Sequence, residues 1–276
     1  MNDGGRMGSG CADGSRRGLP RRAFVGVLGL GLAACAAPPS GGGSATETSA
    51  PAAPSLPPIP AAVPGRSVTV FSGPPDGSRI ALTVDDGTCA DCVAGYVDFA
   101  QRSGIHLTLS PNGTYAHEWE PHATTLAPLV AAGQVQVMNH TFSHPKLTTL
   151  PDAGVRAELA RNEDWVQRVF GITTRPYYRP PYGVHDERVD GIAAAEGWTR
   201  SVLWNGSYSD STTITPEFLM SQAEKYLTPG RIVLGHANHP TVLGLFDRIA
   251  DLIRQRGLSP VTLDEMFGTS RATGTA

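Results

Sequence analysis

The chain has 276 residues with a formal net charge of −3, and its 32 Gly and 23 Pro make up about a fifth of it, well above the usual share. That excess sits at the front, so the chain is not one packed domain throughout, while 40% hydrophobic residues exclude a wholly disordered one. No uninterrupted apolar run reaches the roughly 18 residues that a membrane-spanning helix needs.

Residues 1–35 read as an export signal. Arg21-Arg22-Ala23-Phe24 opens a twelve-residue apolar run, Ala23 to Ala34, too short to span and suited to a signal-peptide core. The run ends in Leu32-Ala33-Ala34-Cys35, which resembles a bacterial lipobox with Cys35 as the lipidated residue. The paired Arg resembles a twin-arginine signal, with Pro20 where Ser or Thr is more usual. An ordinary secretory signal with a chance Cys is the alternative. Residues 36–65 hold eight Pro, four Gly and one charge, Glu47, as an unpacked linker does.

Residues 66–276 remain as one domain, large enough for a full core. With five Arg and two Asp ahead of residue 36 and Glu47 set apart, it keeps 17 basic and 22 acidic residues, net −5. That sign gives no footprint for nucleic acid or an anionic membrane. The expected location is outside the cell, secreted or tethered by Cys35 to the outer face of the cytoplasmic membrane, as a monomer. Of the four Cys, Cys11 precedes the signal core and Cys35 is the lipid candidate. Cys89 and Cys92 admit three readings: a small disulfide, a redox pair, or half of a metal site. No second pair exists to complete a four-Cys zinc site, and an oxidising compartment favours the disulfide.

Within the domain, Ile80–Val84 reads as a short buried strand stopped by Asp85-Asp86-Gly87. A helix follows from Cys92 to Ser103, then a strand over Ile105–Leu109, a short helix around Leu126–Ala132 and a strand over Val135–Met138. Val155, Leu159, Val166, Val169 and Phe170 share one helical face, closed by Gly171. Tyr177-Tyr178 is a strand end running into the rigid loop Arg179-Pro180-Pro181-Tyr182-Gly183. Strands over Ser201–Trp204 and Ile232–Leu234 flank a helix begun by Thr215-Pro216. Val242, Leu245, Phe246, Ile249, Leu252 and Ile253 give a last helix face, and Pro260–Thr262 a last strand. The alternation argues for an α/β fold, a distorted or incomplete (β/α) barrel of parallel strands, with an open doubly wound sheet as the alternative. No Gly-rich phosphate loop follows the first strand, so nucleotide binding has no support.

Polar residues fall at the strand ends. Asp85 and Asp86 close the first strand, His140 follows the third, and Arg179 follows the fourth. Asp210 follows the fifth, and His236 closes the sixth. In a parallel barrel these ends converge on one face. Singly, each has a plainer reading as a helix cap or a satisfied polar group. His140 and His144 lie four apart, which on a helical turn puts both imidazoles on one face. With one carboxylate they make a two-His, one-carboxylate site. The adjacent Asp pair suggests that one carboxylate ligates while the other stays free as a base.

Thr83-Val84-Asp85-Asp86-Gly87, His140-Thr141-Phe142-Ser143-His144, Arg179-Pro180-Pro181-Tyr182 and Leu234-Gly235-His236 together resemble the ordered motifs of the polysaccharide deacetylases of carbohydrate esterase family 4. The resemblance runs from about Ile80 to Met266. It implies a distorted β/α barrel that removes N- or O-acetyl groups from a cell-wall or extracellular polysaccharide, with one divalent ion, usually Zn2+. It implies that Asp86, His140 and His144 hold the metal, Asp85 is the base and His236 the acid. It further implies that Arg179 pairs with Asp85, Asp210 orients His236, and the Tyr182 backbone N–H serves the oxyanion. Ser207-Tyr208-Ser209-Asp210-Ser211 departs from the family's usual Asp-Ser-x-Asp-Trp: Ser207 replaces the first Asp and Ser211 the Trp, leaving Tyr208 or Trp204 to fill that place. Two other functions compete: a surface-anchored glycan-binding module without turnover, and hydrolysis of a small amide or imide by a related barrel. Retained Asp85 and His236 argue against the first, and the export signal against the second.

Overall fold

The structure, a computed structural model, describes residues 58–75 and 77–269. The signal and most of the linker lie outside the described residues. The elements are β1 (Val68–Val70), β2 (Arg79–Asp86), α1 (Ala90–Ser103), β3 (Leu107–Pro111), α2 (Ala116–Trp119), α3 (Ala123–Ala131), β4 (Val135–Val137), α4 (Asp152–Phe170) and β5 (Tyr177–Tyr178). They continue as α5 (Glu187–Ala195), β6 (Arg200–Val202), β7 (Gly206–Ser207), α6 (Pro216–Tyr226), β8 (Ile232–His236), α7 (Phe246–Gln255), β9 (Ser259–Pro260) and α8 (Leu263–Phe267).

Every strand pairing is parallel. One sheet runs β4-β3-β2-β8-β7, with β9 beside the start of β2, and a second runs β1-β6-β5. A parallel bridge, Asn139 to Tyr178, joins the sheets on one flank, and an antiparallel bridge, Ser72 to Arg231, joins them on the other. The strands therefore follow a distorted, incompletely hydrogen-bonded (β/α) barrel, as the alternating pattern predicts. β2 is its central strand, buried from Ile80 to Asp86 because strands flank both edges and helices cover it.

The helices form where apolar spacing and caps agree. α1 turns Val93, Tyr96, Val97, Phe99 and Ala100 inward and ends at Gly104, whose φ of 69° suits a residue without Cβ. α7 buries Phe246, Ile249, Ala250 and Ile253. Phe246 stacks on Phe99 at 4.7 Å between centroids and meets Tyr96 edge-on at 5.0 Å, so this contact welds α1 to α7. Truncating such a ring costs about 3–5 kcal/mol. Thr215 caps α6 by accepting from the Phe218 N–H, with Pro216 in the first turn.

Several boundaries differ from the sequence reading, each for a local reason. β3 starts at Leu107 rather than Ile105, because Ser103 Oγ accepts from the Ile105 N–H and residues 104–106 complete the turn out of α1. The face expected to run unbroken from Val242 is a 3-10 turn, Pro240–Gly244, and then α7. α5, capped by Asp186, and α8, with a capping box between Thr262 and Glu265, have no counterpart in the sequence reading. Both are short, and burial rather than a long periodic pattern holds them. Among the described residues no helix is long and apolar enough to cross a membrane.

Candidate active site

The site begins where β2 ends. In an extended strand, successive side chains point to opposite faces. Asp86 breaks that rule with a φ of 70°, and both carboxylates reach the same imidazole: Asp85 Oδ2 and Asp86 Oδ1 lie 3.5 and 3.4 Å from His140 Nε2. A left-handed aspartate needs outside support. Trp119 Nε1 donates to the Asp86 carbonyl at 2.9 Å, and Asn238 Nδ2 donates to Asp86 Oδ2 at 2.7 Å. Gly87 lets the indole approach: a Cβ there would lie 2.0 Å from Trp119 Nε1, at a φ of +119°.

His140 and His144 do come together, but not on a helical turn. The segment is an irregular loop in which Thr141 and His144 have φ of 67° and 57°. Buried polar side chains impose that path. Asn139 Oδ1 accepts from the Thr141 N–H, Asn112 Nδ2 donates to the carbonyls of His140 and Thr141, and Thr141 Oγ1 accepts from the His144 N–H. His140 Nδ1 lies 2.8 Å from the Arg179 carbonyl, which only accepts, so Nδ1 carries the proton and the Nε2 lone pair faces inward.

Asp86, His140 and His144 place one donor atom each within 4.8 Å of the others. His144 Nε2 stands 3.5 Å from Asp86 Oδ1, which is buried and has no hydrogen-bond partner. A buried carboxylate oxygen facing two inward imidazole nitrogens is left short of a cation, so the donor set fits a divalent ion. Burial alone would raise the Asp86 carboxyl, but His140, His144 and Asn238 outweigh it and hold it well below the usual carboxylate range. Burial and the neighbouring His140 push His144 down, so it favours the neutral form that ligates.

Asp85 has different surroundings. It is 3% exposed, and the wholly buried Arg179 donates to its Oδ1 at 2.7 Å. Arg179 also donates to Thr83 Oγ1 and the Val202 carbonyl, so β2 and β6 together fix the guanidinium. The pair is held from β2, the end of β5 and β6. Asp85 is the register partner of His236 across β2 and β8. His236 Nδ1 lies 2.8 Å from Asp210 Oδ1, and Asp210 Oδ2 accepts the His236 backbone N–H. Burial works against the imidazolium, but the Asp210 hydrogen bond and the charge of Asp85 prevail and raise its pKa. Tyr182 has a φ of 61°, is 65% exposed, and sets its ring edge-on to His144 at 4.6 Å.

Other histidines fall elsewhere. His106, His117 and His185 sit against Glu265, Glu118 and Asp190, while His239 contacts Ser211 and Thr213. Tyr208 does not fill the place of the missing Trp: it is buried in the main apolar core against Gly235. Trp204 remains, with the Arg179 guanidinium 5.6 Å from its ring centroid and Gly183 beneath it. Cys89 and Cys92 form a disulfide at the start of α1. Asn238 and Trp119 escaped the sequence reading; only the position of Asn238 two residues past His236 hinted at it.

The Polysaccharide deacetylase family profile matches residues 72–200, which hold the Asp85-Asp86, His140/His144 and Arg179 segments. An uncharacterised protein of Streptomyces coelicolor is 30% identical over 186 residues, covering 66% of this chain and 70% of that one. The chain belongs to the polysaccharide deacetylase family. A peptidoglycan-N-acetylglucosamine deacetylase of Bacillus cereus is 26% identical, covering 73% of this chain and 72% of that one. A crystal structure of a peptidoglycan N-acetylglucosamine deacetylase superposes with a TM-score of 0.65 at 25% identity, covering 74% of this chain and 94% of that one. A pseudoenzyme of carbohydrate esterase family 4 from Bacillus anthracis shares the fold, with a TM-score of 0.64 at 19% identity over 72% of this chain and 68% of that one. The polysaccharide deacetylase fold thus occurs with and without turnover, and the individual residues decide.

Proposed function

We propose that this chain is a metal-dependent deacetylase of a cell-wall or extracellular polysaccharide, removing N-acetyl or, alternatively, O-acetyl groups. The observation that carries the reading is the unequal surroundings of two adjacent carboxylates. Asp86 faces His140 and His144, whereas Asp85 is held by Arg179 and stands opposite His236. Asp86, His140 and His144 would hold one divalent ion, most consistent with Zn2+ for this donor set. When bound, that ion lowers the pKa of a water and polarises the acetyl carbonyl.

The remaining work belongs to the protein. Asp85, oriented by Arg179, takes a proton from the attacking water. The Tyr182 backbone N–H donates to the oxygen on which charge develops, a contact whose loss typically costs about a hundredfold or more in rate. His236, held protonated by Asp210, gives its proton to the sugar nitrogen as the carbon–nitrogen bond breaks, leaving acetate and a free amine. A glycan-binding module needs neither Asp85 unpaired from the metal nor a charged His236, which favours turnover. Trp204, beside Arg179 and Gly183, would wall the acetyl group where Ser211 leaves space. The domain would act as a monomer outside the cell, tethered through Cys35. Acetate release from an N-acetylated oligosaccharide, abolished by a chelator and restored by Zn2+, tests the reading; binding without release would replace it with the glycan-binding alternative.

A further inference from the structure

Asn238 lies two residues past the end of β8, in no motif of the sequence reading. Its side chain makes contacts of both senses. Nδ2 donates to Asp86 Oδ2 at 2.7 Å, and Oδ1 accepts from the N–H groups of Gly87 and Thr88 at 3.3 and 3.2 Å. The flanking backbone is tied to the same turn, since Ala237 N–H donates to the Asp85 carbonyl and Cys89 N–H to the Ala237 carbonyl. The loop that carries His236 and the turn that carries Asp86 are thus one hydrogen-bonded unit.

A carboxylate has two equivalent oxygens and rotates freely when nothing restrains it. Here the amide engages Oδ2, and the other oxygen, Oδ1, is the one that stands 3.4 and 3.5 Å from His140 and His144. The task requires a group that donates to a carboxylate and accepts from backbone N–H groups at once. Among short side chains an amide does this; a carboxylate only accepts, and alanine does neither. Partners that orient a metal ligand from behind typically carry 10–100-fold in metal affinity.

We infer that Asn238 is a positioning residue for the metal site, holding Asp86 with Oδ1 turned toward the two imidazoles; this rests on the metal-dependent reading above. A bland role in closing the β8 loop would leave metal affinity untouched. The test is Zn2+ titration of the chelator-stripped full chain against a chromogenic chelator, for wild type, Asn238→Ala and His239→Ala. Asn238→Ala should bind Zn2+ about 10–100-fold more weakly, and most of its lost turnover should return at saturating Zn2+. His239→Ala, next in the same loop, should keep wild-type affinity. Folded Asn238→Ala with wild-type affinity overturns the inference alone, whereas wild type that takes no divalent ion overturns the metal reading with it. Should Asn238→Ala not fold, 15N-asparagine-labelled wild type serves: the Asn238 side-chain amide signals should shift when Zn2+ is added to the stripped protein. Unmoved signals in protein that has taken up Zn2+ would sink the idea.

Discussion

Asp85 and His236 are register partners on adjacent parallel strands, so the proposed base and the proposed acid are held a strand spacing apart by the sheet itself. Neither depends on a mobile loop for its position. Asp85 is fixed from behind by Arg179 and His236 by Asp210, each at hydrogen-bond distance. The two pairs lie at the same end of adjacent strands yet differ in kind: a carboxylate beside a guanidinium, and an imidazole of raised pKa beside a carboxylate. That separation of acid from base is what general acid–base chemistry at neutral pH requires.

The Asp pair makes the sharpest prediction. Asp85→Asn keeps the metal donors and should retain one ion per chain by elemental analysis while turnover falls about 10²–10⁴-fold. Asp86→Asn replaces a charged ligand with a neutral amide and should lose affinity, with part of its activity returning at high Zn2+. Asp85→Asn should show no such rescue. If metal rescues Asp85→Asn and not Asp86→Asn, the two roles are reversed. Arg179→Ala takes the guanidinium away from the buried Asp85 carboxylate, and should cost about 3–5 kcal/mol of stability by denaturant unfolding.

Much of this was legible before any coordinates. The strand-end positions of Asp85, Asp86, His140, Arg179, Asp210 and His236 follow from where apolar runs stop, spacing pairs His140 with His144, and the family resemblance adds their roles. The local geometry that makes them useful was not legible. Asp86, Thr141, His144, Tyr182 and Ser209 all adopt positive φ, which is uncommon for residues with a Cβ and is not specified by the local sequence. Those conformations are imposed by partners distant in sequence, such as Trp119 and Asn238 on Asp86 and Asn112 on Thr141. The His140–His144 spacing suggested a helical turn because spacing carries no information about such partners. Tyr208, one of two residues offered for the place of the missing Trp, is instead sent into the core.

Gly87 offers a test of that support. Gly87→Ala adds a Cβ at a φ of +119° that would lie 2.0 Å from Trp119 Nε1. Either the indole or the backbone must move, and both hold Asp86. We expect a loss of about 2 kcal/mol or more, read as a lowered denaturant midpoint, together with weaker Zn2+ binding. Gly191→Ala, in α5 with open space at its Cβ, should show neither effect.

The pH profile tests the second pair. His236 must be protonated to act, and the Asp210 hydrogen bond is the largest influence raising its pKa against burial. The alkaline limb of kcat/KM should therefore lie above the ordinary histidine value. Asp210→Asn removes the raising charge and leaves burial, so the limb should move to lower pH while metal content stays at one ion per chain. An unmoved limb would assign it to another group, and His236 would lose its role as the acid.

The nature of the leaving group gives the last test. Cleaving an N-acetyl sugar expels an amine, which leaves only when its nitrogen is protonated, so the reaction depends on an acid. An aryl acetate expels a phenolate, which leaves without a proton. His236→Ala should keep Asp86, His140 and His144 intact, bind metal as wild type does, and lose about 10²–10⁴-fold on an N-acetylated oligosaccharide. On the aryl ester its loss should be smaller by at least about tenfold, because only the step that needs the proton is impaired. Asp85→Asn should fall by a similar factor on both substrates, since each reaction begins with proton removal from water. Equal losses for His236→Ala on the two substrates would mean that the imidazole stabilises the oxyanion or binds the sugar, and the protonation of the amine would then pass to Asp85 after it has accepted the proton of the water.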